Sequence, residues 1–359
     1  MRPTFATVRL EDIADNYRLA NRLAPASKSI AVIKANAYGH GIVEVAQQLQ
    51  GMVPAFAVAF IDEAAQLRDA GISKPILILQ GPSRADDIAE AVASNFWLLL
   101  HHRQQVAWVL ETNLTRPARV WLKVDTGMHR FGLAPDDLDQ VCAELLSSSN
   151  VEKDLVLCTH LACADDPADP MTMRQVRAIR ACSGKHNLDL SIANSAGILH
   201  WPETHAEWNR PGYMLYGASP MVSPDSDSFG LCPAMTMHSE ITAIRNIGPG
   251  EGVGYSHEWV AKRQSQIGTI AIGYGDGYPR HAPSGTPVLV NGQRVPLTGR
   301  VSMDAISVDL TDLEKVEAGD PVELWGQGLG VNEVALAAGT IGYEILAGLT
   351  GRVPLVYQN

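Results

Sequence analysis

The sequence predicts an α/β protein in two parts: a (β/α)8 TIM-like barrel over residues 1–232, then a mainly β C-terminal domain over residues 233–359. Three observations lead there. From residue 30 to about 232, apolar runs alternate with amphipathic helical stretches, and the runs number eight. After Cys232 the rhythm changes to β-forming runs without helices between them. No GxGxxG follows the first strand, which weakens the competing doubly wound open sheet.

The expected barrel strands are Ile30–Lys34, Ala55–Ala59, Pro75–Gln80, Phe96–Leu100, Ala118–Asp125, Leu155–His160, Leu188–Asn194 and His205–Arg210. Between them lie helical patterns such as Glu63–Ala70, Ala85–Ala93, Arg103–Leu110, Pro135–Leu146 and Met171–His186. The second domain is read from Met235–Ile244, Gln266–Tyr274, Pro287–Val290, Arg294–Leu297, Val301–Asp309 and Pro321–Trp325. Asn291-Gly292 separates two of these runs and signals a hairpin. The polar, proline-bearing stretch Asp225–Pro233 marks the border, and extended Thr4–Leu10 is expected to pair with the second domain. No internal repeat, low-complexity tract or coiled-coil heptad is present.

A formal charge of −11 and a pI of 5.4 argue against a nucleic-acid or anionic-membrane surface. Met1–Leu10 lacks the apolar core of a signal peptide, and the longest nearly apolar run, Met52–Ile61, is too short to span a bilayer. Five cysteines (Cys142, Cys158, Cys163, Cys182, Cys232) form no CxxC pair, which suits reduced thiols in a cytoplasmic protein. Metal-ligand spacing is absent, so no metal is expected.

Lys34 ends the first apolar run, where a lysine is costly unless paired or neutral. Desolvation would lower its pKa and make the amine a nucleophile, a natural anchor for an aldehyde cofactor; the alternative is a lysine that snorkels to the surface. On the fifth strand, period-two alternation puts Trp121, Lys123 and Asp125 on one face. If that face looks inward, Lys123 and Arg130 are two buried cations that repel. Carbamylation of Lys123 by carbon dioxide would make it an anion able to pair with Arg130; a Lys123–Asp125 or Lys123–Glu pair is the alternative. His160 ends the sixth strand, a position where a histidine is more often a satisfied core group. Barrel phosphate sites form after the seventh and eighth strands, at the amino end of a small extra helix. Ser195, Gly212 and Tyr213 fall there, beside Arg210 at the end of the eighth strand.

The unbroken string Ala31-Val32-Ile33-Lys34-Ala35-Asn36-Ala37-Tyr38-Gly39-His40-Gly41 resembles the cofactor-lysine motif of alanine racemases. The resemblance extends through Lys123-Val124-Asp125-Thr126-Gly127-Met128-His129-Arg130, Val253-Gly254-Tyr255, Ala271–Arg280, Gly299–Asp304 and Gly342-Tyr343-Glu344. It implies that Lys34 holds pyridoxal 5′-phosphate as a Schiff base and that Tyr38 and Tyr343 contact the phosphate. It places His160 against the pyridine ring. Carbamylated Lys123 would position Arg130 against the phenolic oxygen and the substrate carboxylate. Arg210 would face the pyridine nitrogen. An arginine stays charged and gives up no proton, so the ring becomes a weaker electron sink and transamination is suppressed. The implied reaction interconverts L- and D-alanine with two bases, Lys34 on one face and Tyr255 on the other. A tyrosine of pKa ~10 is a poor base at neutral pH, so nearby positive charge is expected to lower it. Tyr255, Met303 and Asp304 are implied to act across the interface of a head-to-tail homodimer, Met303 and Asp304 in the substrate region. The enzyme would supply D-alanine for peptidoglycan or serve alanine catabolism. Competing readings are a broader-specificity amino-acid racemase, another cofactor-dependent enzyme such as a decarboxylase, a non-enzymic barrel that binds the cofactor, and a barrel that uses none.

Overall fold

A computed structural model describes residues 3–221 and 229–358. Its first sheet is a parallel barrel of nine strand segments: Lys28–Ser29, Ala31–Val32, Phe56–Val58, Ile76–Ile78, Phe96–Leu100, Val120–Lys123, Val156–Cys158, Asp189–Ser191 and Trp208–Asn209. The nine trace the eight expected strands, because the first is broken at Ile30. Its first half pairs Lys28 with Trp208, and its second half pairs Ala31 with Phe56, which closes the ring. Most of the strands are shorter than expected. Lys34 already belongs to a turn, Asn194 caps the helix Ser195–His200, and the last strand begins only at Trp208, His205 still closing the short helix Pro202–Thr204. The helix predicted over Met171–His186 has those bounds.

The barrel's amino end is plugged. Trp97, Trp121 and Trp208 start three different strands, and their rings meet at centroid distances of 5.6–6.4 Å. Arg119 and Lys28 lie over two of these rings at 4.8 and 4.9 Å. Packed aromatics of this kind hold a barrel interior shut, each pair adding about 0.5–1.5 kcal/mol beyond its buried area. Reactive side chains therefore have only the carboxyl end at which to gather.

The second domain is an eight-stranded, mainly antiparallel sheet system. Pro287–Val290 and Gln293–Pro296 form the hairpin expected from Asn291-Gly292; both turn residues have positive φ, 52° and 73°, as a tight hairpin turn demands. The run Val301–Asp309 is a strand only from Ile306, and Gln266–Tyr274 yields Ser265–Ile270. Phe5–Arg9 lies in this sheet, between Met235–Ile247 and Leu355–Gln358. Part of the Asp225–Pro233 border, residues 225–228, lies outside the described residues. At the described end of that border, Asn16 of the helix Leu10–Leu23 fastens Cys232 to the barrel domain. Its amide donates to the carbonyls of Leu215 and Cys232 at 3.0 and 2.8 Å and accepts from the Cys232 N–H at 2.9 Å.

Candidate active site

Lys34 opens a left-handed turn. Ala35, Asn36, Ala37 and Tyr38 all have φ of 51–53°, a conformation that costs an L-residue roughly 1–2 kcal/mol each. Nothing in the sequence announced it, since none of the four is glycine. Local hydrogen bonds hold it. The Glu63 carboxylate accepts the Ala35 N–H at 2.6 Å, and the Asn36 side chain accepts the Ile42 N–H at 2.9 Å. His40 Nδ1 lies 3.1 and 2.9 Å from the carbonyls of Ala37 and Tyr38, so Nδ1 carries the proton and donates. Gly39 closes the turn at φ 82°, with the Leu346 carbonyl 2.0 Å from where a Cβ would sit, so only glycine fits.

The turn borders a cavity of about 400 Å³ at the barrel's carboxyl end. Ten expected residues line it: Lys34, Tyr38, Lys123, Arg130, His160, Ser195, Arg210, Gly212, Tyr213 and Tyr343. Four are cations, and no acidic residue is among the described lining residues. Burial and Arg130 draw the Lys34 amine below the usual lysine range, with Glu63 opposing. Burial, then Arg210, Arg130 and Lys34, bring Lys123 down to about 8, against the opposing effect of Cys158. Burial and the same cations hold His160 neutral. Asp125 is not the partner of Lys123: it accepts the N–H groups of Gly127 and His129 at 2.9 and 3.1 Å. Instead the Lys123 amine lies 5.5 Å from the Phe131 ring centre.

Arg210 is locked in place. Its terminal nitrogens donate to the carbonyl and hydroxyl oxygens of Ser191 at 2.9 and 2.5 Å and to the Thr159 carbonyl at 2.6 Å. These partners are neutral, so the guanidinium presents an uncompensated charge to the cavity. Across from it, the Ser195 hydroxyl accepts the N–H groups of Gly212 and Met214 at 3.0 and 3.2 Å. With its oxygen so occupied, its proton is left to donate into the cavity. A Cβ on Gly212 would stand 2.9 Å from the Tyr38 hydroxyl, so the missing side chain leaves room for that group. Tyr213 stacks on Tyr343 at 3.7 Å and donates its hydroxyl to Asn332 at 2.7 Å, which spends the hydroxyl on the second domain and leaves ring and backbone facing the site.

Three expected residues are elsewhere. Tyr255 and Met303 are 67% and 52% exposed on the second domain, and the Asp304 side chain, 63% exposed, meets Arg352 at 2.5 Å. The loop of Met303 and Asp304 is tied to the turn at Tyr274, where the N–H groups of Tyr274 and Gly275 donate to the carbonyls of Ser302 and Met303, and Arg300 pairs with Glu258 just after the Tyr255 turn.

Residues 8–220 match the alanine racemase N-terminal domain and residues 234–357 the alanine racemase C-terminal domain. The chain belongs to the alanine racemase family. A biosynthetic alanine racemase of Pseudomonas aeruginosa is 46% identical over the full length of both chains, and a crystal structure of the biosynthetic alanine racemase from that organism superposes with a TM-score of 0.96. A catabolic alanine racemase of Pseudomonas putida is 44% identical over 99% of each chain. The alanine racemase of Bartonella henselae, solved with covalently bound pyridoxal phosphate, is 30% identical over the whole of both chains, with a TM-score of 0.89. Against this alanine racemase framework, sequence reasoning missed Glu63, His40 and Asn332. Glu63 looks like an ordinary helix-start acid, and because Phe60 is no usual N-cap residue, even its capping role was hidden.

Proposed function

We propose that this chain interconverts L- and D-alanine with pyridoxal 5′-phosphate held at Lys34. The carrying observation is a cavity with four basic side chains and no acidic one among its described lining residues, one of the four being a lysine whose amine is biased toward its neutral form. The donor set suits the cofactor. A phosphate monoester finds the Ser195 and Tyr38 hydroxyls and the backbone beside Gly212, and an aldehyde finds an uncharged amine. Tyr213 and Tyr343 wall this end, and His160, neutral, offers a flat face. When bound, the cofactor supplies the conjugated ring that acidifies the Cα–H bond.

The chain's own groups then do the following. Arg210, which keeps its proton, would face the cofactor's ring nitrogen and temper the electron withdrawal that the ring supplies. Arg130 binds the substrate carboxylate, oriented by Lys123 once carbon dioxide has converted that amine to a carbamate. Lys34 would hold the cofactor and, as a free amine, take or give the Cα proton on one face. The partner subunit's Tyr255 serves the other face, with the partner's Met303 and Asp304 beside the substrate. The exposure of these three residues in the single chain supports a head-to-tail homodimer with shared sites. The five free thiols support a reducing, cytoplasmic setting, and no helix among the described residues is long and apolar enough to cross a membrane. The two domains are taken to divide at residue 232.

The test is borohydride reduction with the cofactor, followed by peptide mapping, beside chiral analysis of L-alanine and L-serine incubated with the protein. Label at Lys34 with racemised alanine supports the reading, and an unlabelled Lys34 ends it. Serine turnover at a comparable rate would favour the broader-specificity racemase.

A further inference from the structure

The geometry points to Glu63 as the residue that positions Lys34 for proton transfer, a role that rests on reading Lys34 as cofactor anchor and base. Glu63 sits in the first turn of the helix Ile61–Asp69, immediately after the second barrel strand. One carboxylate oxygen accepts the N–H groups of Ala59 and Phe60 at 2.7 and 3.2 Å, which caps the helix. The cap needs only that oxygen. The other crosses to the mouth of the first barrel strand and accepts the N–H of Ala35, the residue next to Lys34, at 2.6 Å. This is a short, charge-assisted bond between two loops that the barrel brings together.

Ala35 is also the first residue of the left-handed turn, so this bond sets the direction in which the chain leaves Lys34. The turn's far end is held separately by His40 on the Tyr38 carbonyl. Lys34 is thus clamped from behind while its amine faces the cavity. Charge makes a second contribution. Arg130 and Arg210 present positive charge to the cavity, as does Lys123 until it takes up carbon dioxide, and burial holds His160 neutral and Tyr38, Tyr343 and Cys158 protonated. At Lys34, Glu63 is the carboxylate that opposes burial and Arg130, and it favours the amine holding a proton between removal and return.

Two variants of the full-length chain separate reach from charge. Glu63→Gln keeps the reach but loses the charge and, because its NH2 cannot accept an N–H, one of the two loop contacts. Glu63→Asp keeps the charge and a helix-start acid but is one methylene too short to serve both loops. The pH dependence of Lys34 labelling by an amine-acylating reagent, read by peptide mass, is measured before cofactor is added. In Glu63→Gln the labelling midpoint is expected about half a unit lower, the scale of one charge acting through well-screened surroundings. In Glu63→Asp it stays near the parent value. Both variants are expected to lose about tenfold or more in kcat with little change in KM, since a misplaced base weakens the step and not substrate binding. The rising acid limb of kcat against pH moves down with Glu63→Gln alone. A capping glutamate without this role would lower the melting temperature of both variants and leave the labelling midpoint and kcat at parent values, which would overturn the proposal. If the parent chain itself fails to trap cofactor at Lys34, the base reading falls first, and this one with it.

Discussion

Acidification is expected to loosen this protein through one buried ring. His40 is completely buried, its Nδ1–H is committed to the Tyr38 and Ala37 carbonyls, and its Nε2 has no partner among the described residues. The ring lies 4.5 Å from that of Tyr216. A second proton would create an N–H with nothing to receive it, so burial pulls the group from 6.5 down to about 4, against the two backbone hydrogen bonds. The unfolded chain binds that proton near pH 6.5 and the folded chain only near 4. The stabilisation is therefore present above pH 6.5, erodes as the pH falls, and is gone below about 4. Its size is about 3 kcal/mol, at about 1.4 kcal/mol per unit of displacement. Asparagine places an amide N–H near the position of Nδ1 and does not titrate. Urea unfolding at stepped pH should show the parent losing about 3 kcal/mol more than His40→Asn between pH 7 and pH 4. Parallel loss in the two proteins, or a His40 resonance titrating near 6.5, would refute the reasoning.

Three further outcomes are expected. Gly212→Ala should cost about 1–3 kcal/mol of stability and weaken cofactor binding about tenfold, because its Cβ crowds the Tyr38 hydroxyl; in a Tyr38→Phe background the stability cost should largely vanish, as thermal melts and cofactor titrations can show. Only neutral amines take up carbon dioxide, so carbamate on Lys123 should rise as the pH passes upward through about 8 and fall on acidification, read by carbon-13 NMR with labelled bicarbonate; a bare Lys123 at pH 8 in a fully active enzyme would rule it out. Inactive Lys34→Ala mixed with inactive Tyr255→Ala should regain activity through hybrid dimers, and no recovery despite demonstrated subunit exchange would exclude shared sites.

Much of this architecture was legible because its signals are local. Alternating apolar runs mark barrel strands, and Asn291-Gly292 marks its hairpin, since each depends on nearby residues. Lys34, Lys123 and Arg210 could be ranked as candidates because a cation at the inner end of a buried strand needs a reason. What stayed hidden depends on contacts that no local pattern announces. The left-handed course of Ala35–Tyr38 is held by Glu63 from the next barrel loop, with Asn36 and His40 completing it from within the same loop. Val301 to Ala305 looks like the start of a strand, yet its backbone serves the loops around Tyr274: the Ser302 and Met303 carbonyls accept N–H bonds from that turn. Tyr255 is 67% exposed in the folded chain, a placement that its glycine-preceded loop position does not by itself reveal.

The strand Phe5–Arg9 has a consequence for biosynthesis. It is inserted between neighbours that the ribosome makes some 230 and 350 residues later. The barrel can close while this segment is still waiting, but the other sheet lacks an interior member until translation is nearly over. Residues 233–359 made alone would have a slot in the middle of their sheet. Supplying Phe5–Arg9 as a separate peptide is the natural way to fill it.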